Sequence, residues 1–166
     1  MPQAFPNSVG EHFTLTPEIL DRGIAAAAAS SRRRIILPIH RTQGASVQRM
    51  LNFFQPGTYV CPHHHPLDGA SETVSVLRGA LGFLLFDGLG AVTSTHLLRA
   101  EENGLIDIEP RVWHGMVALQ PGTVILEIKQ GPYDQERDKV FADWAPPEGA
   151  GEVAAYLAGL ESLFRP

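Results

Sequence analysis

The sequence predicts an all-β fold, a sandwich or barrel of antiparallel strands, with one helix near each end of the chain. Short apolar segments recur about every 8–12 residues between positions 35 and 129, a spacing typical of antiparallel β proteins. Glycines and prolines, 16 and 13 in number, supply turn chemistry between these segments. Patterns of helical periodicity occur before and after this region, so the helices should flank the strands.

Composition limits the classes of function. A chain of 166 residues can bury a hydrophobic core, and its hydrophobic content of 44% is too high for a disordered protein. Its 13 basic and 18 acidic residues give a net charge of −5, which argues against binding to nucleic acid or to an anionic membrane. The single cysteine, Cys61, excludes a disulfide within the chain. We find no signal peptide or membrane span, and we expect a cytoplasmic protein.

The first helix is predicted over residues of about 17–30. Thr16 is a favourable N-cap, Pro17 suits the first helical position, and Glu18 places an acid in the first turn. The run Ala25–Ala29 has high helix propensity. We interpret Arg32–Arg34 as a basic helix end beside the carbonyl pole rather than as a nucleic-acid patch.

The predicted β-barrel covers residues of about 35–130. Pairs such as Pro56-Gly57 and Pro121-Gly122 mark its turns. Its nine predicted strands are Ile35–Ile39, Val47–Phe54, Tyr59–His65, Glu72–Leu77, Leu81–Phe86, Val92–Leu98, Leu105–Ile108, His114–Leu119 and Val124–Lys129. A C-terminal arm and helix, residues 131–166, follow the barrel, with the helix predicted from about Gly151 to Phe164. No internal repeat or linker is evident, so we expect residues 1–166 to form a single domain.

Three histidines and one glutamate form the most informative pattern. His63 and His65 point to the same face of a strand, because side chains alternate along it, and His64 points to the other face. Glu72 shares a face with two valines, where a carboxylate is costly unless it has a partner. His114 lies on or beside another strand that faces the core. The agreement of three separate segments favours a metal site over a surface histidine run.

The order of these residues resembles the two motifs of the cupin superfamily. A closer resemblance is to the WbuC-type cupin-fold metalloproteins, carried by segments such as PGTYVCPHHH, SVLRG, FDGLG and EIKQGPYDQERDKVFADWAPPEG. The cupin motif residues are Gly57, His63, His65, Glu72 and Gly79, followed by Gly104, Pro110 and His114. Six residues separate His65 from Glu72, where the cupin motif has three or four.

The resemblance implies a double-stranded β-helix (jelly-roll barrel) that carries one divalent transition metal. The implied ligands are His63, His65, Glu72 and His114, and ligand type leaves Zn²⁺, Fe²⁺, Mn²⁺ and Ni²⁺ open. If the longer loop keeps Glu72 off the metal, a three-histidine site with open positions remains. The resemblance also suggests a link to surface-polysaccharide metabolism, and a homodimer is expected as a habit of the superfamily.

Other residues are expected to line the barrel pocket. Gln48 and Asn52 share one face of a strand and could contact an oxygen-rich ligand, although hydrogen bonding at the sheet edge explains them equally well. His40 and Arg49 are further candidates for substrate binding. Lys129 and Tyr133 are candidate acid–base groups. A Glu127–Lys129 pair on a solvated face is the plainer interpretation of that strand.

The sequence leaves the reaction open. One hypothesis is a metal-dependent enzyme, an isomerase, an epimerase or an Fe-dependent dioxygenase, that acts on a small polar or sugar-derived substrate. The other is a non-catalytic ligand-binding or sensor module whose metal anchors a sugar or a carboxylate. Fold and metal alone do not choose between them.

Overall fold

A computed structural model describes residues 3–165 of the chain. Helix α1 spans Pro17–Ala29 and helix α2 spans Val153–Ser162. Between them lie the strands β1 (Arg34–Pro38), β2 (Val47–Phe54), β3 (His63–His64), β4 (Glu72–Arg78), β5 (Ala80–Phe86), β6 (Val92–Arg99), β7 (Leu105–Ile108), β8 (Trp113–Ala118), β9 (Thr123–Gln130) and β10 (Val140–Phe141).

These strands form two five-stranded sheets. The first has the order β1-β2-β9-β4-β7 and the second the order β10-β3-β8-β5-β6, and their strands pair antiparallel throughout. Non-consecutive neighbours in both sheets make the crossovers of a jelly roll. The prediction of an all-β double-stranded β-helix with a helix at each end is confirmed.

Helix α1 begins as its sequence predicts and covers the outer face of the first sheet. The Thr16 hydroxyl accepts a hydrogen bond from the Ile19 amide, and Pro17 is the first helical residue. The helix packs so closely on β2 that a Cβ at Gly23 would lie 2.3 Å from the Phe53 ring. Glycine is therefore required at this helical position by packing.

The space between the two sheets is only partly filled by apolar side chains. Val74, Phe83 and Ile125, which come from both sheets, have no exposed surface and lie in one apolar cluster. A second cluster lies beneath α2, which buries Leu157 and Leu160. The rest of the interior contains polar and charged side chains, and it is there that the candidate site lies.

Two short elements differ from the predictions. The predicted strand Tyr59–His65 is reduced to β3, because Tyr59 and Cys61 pack in the cluster beneath α2 instead of pairing in a sheet. Strand β10 was not predicted, since it has only two residues, both exposed, and gains its structure from pairing with β3.

The interpretation of Arg32–Arg34 as a basic helix end is wrong. Helix α1 has no basic residue in its last turn, and Arg34 already belongs to β1. Arg32 and Arg34 instead bind Glu148 at 2.7 and 2.8 Å, which fastens the C-terminal arm to the start of the barrel. Neither α1 nor α2, the helices within residues 3–165, has the length and apolarity that crossing a bilayer requires.

Candidate metal centre

The barrel brings His63, His65, Glu72 and His114 together, as the sequence predicts. The two sheets both contribute: His63 pairs with His114 across β3 and β8, whereas Glu72 begins β4 in the opposite sheet. One ligating atom from each of the four residues lies within 4.8 Å of all the others, and all four side chains are buried. Two ligands of one transition metal are at most about 4.2 Å apart, twice a metal–nitrogen bond, so small side-chain shifts would let one ion reach all four.

The three imidazoles are held in one tautomer by the backbone. Carbonyl oxygens only accept hydrogen bonds, so each Nδ1 atom must carry the hydrogen and each Nε2 atom is turned toward the cluster. The three bonds run from His63 to the Cys61 carbonyl at 3.0 Å, from His65 to the Asp138 carbonyl at 2.6 Å, and from His114 to the Val112 carbonyl at 2.9 Å. Such anchoring is typical of histidines that bind a metal through Nε2.

Glu72 is a buried carboxylate surrounded by these rings. Its Oε2 atom lies 2.8 Å from His65 Nε2 and 3.3 Å from His114 Nε2, and its exposed fraction is 1%. Burial opposes ionisation of Glu72, but His114 and His65 outweigh that effect and hold its pKa well below the usual range. The side chain is therefore a carboxylate, the form that binds metals.

Two buried nitrogen atoms lack a hydrogen-bond partner at the cluster. They are the Nε2 atoms of His63 and His114. His114 Nε2 lies 3.3 Å from Glu72 Oε2 but lacks hydrogen-bond geometry toward it, and a buried polar atom without a hydrogen bond is costly. Burial, then the charge of Lys139 and His114, lowers the pKa of His63 well below its usual value, so its Nε2 keeps a free lone pair. The Nε2 atoms of the three histidines and the carboxylate of Glu72 are a set of ligands that fits a divalent transition metal.

A cavity of about 530 Å³ extends from this cluster through the barrel. His63 and Glu72 lie in its wall, together with apolar residues such as Met50, Phe54 and Met116. The volume is within the usual range for small-molecule sites. The cavity also reaches the Arg32–Glu148–Arg34 cluster, so charged groups lie along much of its length.

Strand β9 contributes two charged groups to the cavity. Glu127 and Lys129 are each 7% exposed, so the interpretation of a pair on a solvated face is wrong. Glu127 accepts a hydrogen bond from Asn52 at 2.9 Å, and burial, then the nearby charge of Glu72, raises its pKa. Lys129 binds both carboxylate oxygens of Asp138, at 2.5 and 2.7 Å.

Four of the remaining candidates line the cavity. Asn52 is one, and Gln48 donates to the Gln43 and Ala45 carbonyls, so it combines a place in the cavity wall with hydrogen bonding at the edge. His40 is 2% exposed, with its Nε2 atom unpartnered. Tyr133 is 43% exposed and lies at the edge of the cavity, near Lys129.

The placement of Arg49 in the pocket is corrected by the structure. Its side chain is exposed and has the opposite parity to Gln48 and Met50, which line the cavity. Only its backbone takes part, through contacts of 2.8 and 3.0 Å between its carbonyl and amide groups and His40 Nδ1.

The sequence reasoning missed the contribution of the C-terminal arm. Asp138 holds His65 through its carbonyl and Lys129 through its carboxylate, and Lys139 and Phe141 line the cavity beside it. The segment EIKQGPYDQERDKVFADWAPPEG had stood out only as a family signature. The concentration of charged residues next to a turn in this segment could have indicated a functional role. Local periodicity, however, does not predict that the segment packs against β3.

The sequence matches the model of a family described as a domain of unknown function (DUF6016) over residues 15–98. No curated protein matches it. Among solved structures it is similar to a conserved protein of unknown function from Streptococcus pyogenes, with a TM-score of 0.51 and 10% identity over 78% of this chain and 96% of that one.

Two further structures have described functions. Oxalate oxidase in complex with the substrate analogue glycolate gives a TM-score of 0.52 and 17% identity, over 82% of this chain and 75% of that one. The capsular polysaccharide assembling protein CapF from Staphylococcus aureus gives 0.53 and 16% over 64% of this chain, which spans only 31% of CapF. At these identities the likenesses show the cupin fold and nothing of the reaction.

Proposed function

The chain belongs to the DUF6016 family, and we propose that it is a metal-dependent cupin that holds one divalent transition metal and acts on a small polar or sugar-derived molecule. The observation that carries the proposal is the convergence of three Nε2 atoms and the Glu72 carboxylate in the barrel interior. Each imidazole is already oriented by a backbone carbonyl, so little rearrangement opposes metal binding.

The ligand set suits Zn²⁺, Fe²⁺, Mn²⁺ or Ni²⁺ and does not choose among them. When bound, such a metal supplies Lewis acidity that polarises a carbonyl or hydroxyl oxygen. Four protein ligands leave room for a ligand atom if the ion takes five or six partners. The cavity beside the cluster supplies the space for that molecule.

Proton transfer in this cavity is assigned first to Glu127. Burial and the neighbouring Glu72 charge raise its pKa, which moves a carboxyl group toward the range useful for acid–base work. Lys129 suits that role less well. Burial alone would lower its pKa, but Glu127 and Asp138 outweigh burial and raise it, so Lys129 stays protonated. Tyr133, at the cavity edge, remains a candidate for contact with the ligand.

We also propose that the chain is related to the WbuC-type proteins and is linked to surface-polysaccharide metabolism. CapF is itself a capsular polysaccharide assembling protein, but its likeness to this chain is one of fold. The polar lining at Glu127, Asn52 and Gln48 supports a hydroxylated ligand more directly.

The metal site is tested by elemental analysis of the purified full chain. We expect about one transition metal per chain, lost in the H63A/H65A double variant and retained in H96A, which removes a histidine outside the cluster. Metal retention in the double variant, with folding verified by circular dichroism, would disprove the site.

The reaction is tested separately on the metal-loaded protein. Exchange of substrate protons with solvent, or oxygen consumption by the Fe²⁺-loaded form, would support an enzyme. Both activities should fall in E127Q while metal content stays constant. Binding without turnover across a panel of sugars and organic acids would instead identify a non-catalytic binding module.

A further inference from the structure

Lys139 is a cationic side chain in the cavity wall without a carboxylate partner. Among residues 3–165 it forms no ion pair, whereas the other three cations that line the cavity are each paired. Lys139 is half-buried and precedes β10, where it shares strand parity with Phe141. The Phe141 ring lies 5.9 Å from the ring of His63, so this parity places both side chains toward the metal end of the cavity.

The cavity has a charge balance that depends on the metal. Its lining contains four cationic side chains, Arg32, Arg34, Lys129 and Lys139, and four acidic ones, Glu72, Glu127, Asp138 and Glu148. With all eight charged and the histidines neutral, the lining is neutral and a divalent metal would give the compartment a net charge of +2. A compartment of low dielectric with that charge favours an anionic ligand.

The wall across the barrel offers a different chemistry. Glu127 and Asn52 form a hydrogen-bonded pair on β9 and β2, and Gln48 follows on the same face of β2. Side by side, the amide can donate to hydroxyl groups and accept from them, and the carboxylate accepts from them. One end of a ligand would therefore meet the Lys139 cation, and its other end would meet hydrogen-bonding groups of the opposite wall.

We propose that Lys139 anchors the anionic group of the ligand, and that this ligand is a small hydroxylated carboxylate. The inference rests on the proposed metal site, because the metal supplies the charge that unbalances the cavity. A carboxylate suits the arrangement because a single ammonium group meets it, with no cluster of arginines free to cradle a phosphate among the described residues.

The test compares D-gluconate with sorbitol, a neutral polyol of the same carbon skeleton, by calorimetry on the metal-loaded full chain. We expect wild type to bind gluconate at least tenfold more tightly than sorbitol. In K139M, which removes the charge and keeps the stem, the gluconate dissociation constant should rise at least tenfold while sorbitol binding stays unchanged. K139R should keep most of the affinity, and R137M, at an exposed cation of the same arm, should match wild type.

Other results would overturn the inference. Equal binding of the two polyols by wild type, or unchanged gluconate affinity in K139M, would remove Lys139 as an anchor. Tighter binding of D-glucose 6-phosphate than of gluconate would exclude the carboxylate class. Metal content measured on the same samples separates the two proposals: a chain with one metal and no preference for gluconate overturns only this inference, and a chain without metal overturns both.

Discussion

Glu72 Oε2 lies 2.8 Å from His65 Nε2 in the barrel interior, where neither side chain is more than 4% exposed. The Nδ1–H group of His65 donates a hydrogen bond to the Asp138 carbonyl. Either a proton or a metal ion must therefore be shared between Nε2 and Oε2, because both atoms would otherwise present lone pairs. The six-residue loop that separates the two residues in sequence does not keep Glu72 from the cluster.

This relationship predicts that Glu72 is needed for tight metal binding. We expect E72Q to weaken metal affinity at least about tenfold, since it removes a charged ligand while keeping the side-chain volume. Competition titration with a chelator measures the effect, and E101Q, at an exposed glutamate, serves as the matched control. An unchanged affinity in E72Q would mean that the three histidines hold the metal alone.

The Lys129–Asp138 pair predicts a strong coupling between the barrel and the C-terminal arm. In D138N the buried Lys129 ammonium loses the carboxylate that it binds directly and keeps only the nearby charge of Glu127, so we expect the free energy of unfolding to fall by about 3 kcal/mol. The K129M/D138N double variant should recover part of that loss, because no buried ammonium remains, although Glu127 then loses the neighbouring charge of Lys129. Urea denaturation of the single and double variants gives the coupling, and additive effects would show that the pair is not energetically linked.

A comparison of β2 and β7 with β10 of the C-terminal arm shows which strands the sequence predicts and which it does not. Strands β2 and β7 have the predicted bounds, because each is a short apolar segment next to clear turn residues, Pro56-Gly57 and Asn103-Gly104. Strand β10 pairs with β3 through residues that are 76 and 78 positions apart, Val140 with His64 and Phe141 with His63, and its two exposed residues carry no periodic signal. Its position depends on long-range packing that local patterns do not encode.

Part of the candidate site could be predicted from the alternation of side chains along the strands. Alternation alone places His63 and His65 on one face, and an acid among valines marks the inward face of β4. For β9, alternation shows that Glu127 and Lys129 share a face but not which face, since the residues of opposite parity, Val124, Leu126 and Ile128, are apolar too. Only the pairing of β9 between β2 and β4 turns these charges inward.

Glu148 predicts a pH-dependent contribution to stability. Burial raises its pKa, but the hydrogen bonds and the charges of Arg32 and Arg34 together outweigh burial and lower it. A lowered pKa in the folded state means that the contribution is present above the ordinary glutamate pKa of about 4.3 and is lost as pH falls below it. Because the carboxylate is 40% exposed, the contribution should be only about 1 kcal/mol.

The measurement for Glu148 is the difference in unfolding free energy between wild type and E148Q across pH. We expect wild type to be more stable at pH 7 and the difference to shrink between pH of about 5 and 3. E11Q, at an exposed glutamate, should show no such trend. A difference that is constant with pH would mean that the ion pairs contribute nothing through charge.

Two helical glycines predict opposite effects of one substitution. Glycine inside a helix is less favourable than alanine by about 1 kcal/mol, so Gly→Ala ordinarily stabilises. At Gly159 in α2, a Cβ meets nothing within 4 Å, and G159A should raise the free energy of unfolding by about 0.5–1 kcal/mol. At Gly23 in α1, the same Cβ would lie 2.3 Å from the Phe53 ring, which has no exposed surface. We therefore expect G23A to lower the free energy of unfolding by about 1–3 kcal/mol, the cost of overpacking a filled core. Thermal and urea denaturation of the two variants measure this, and stabilisation by G23A would show that α1 can move away from β2.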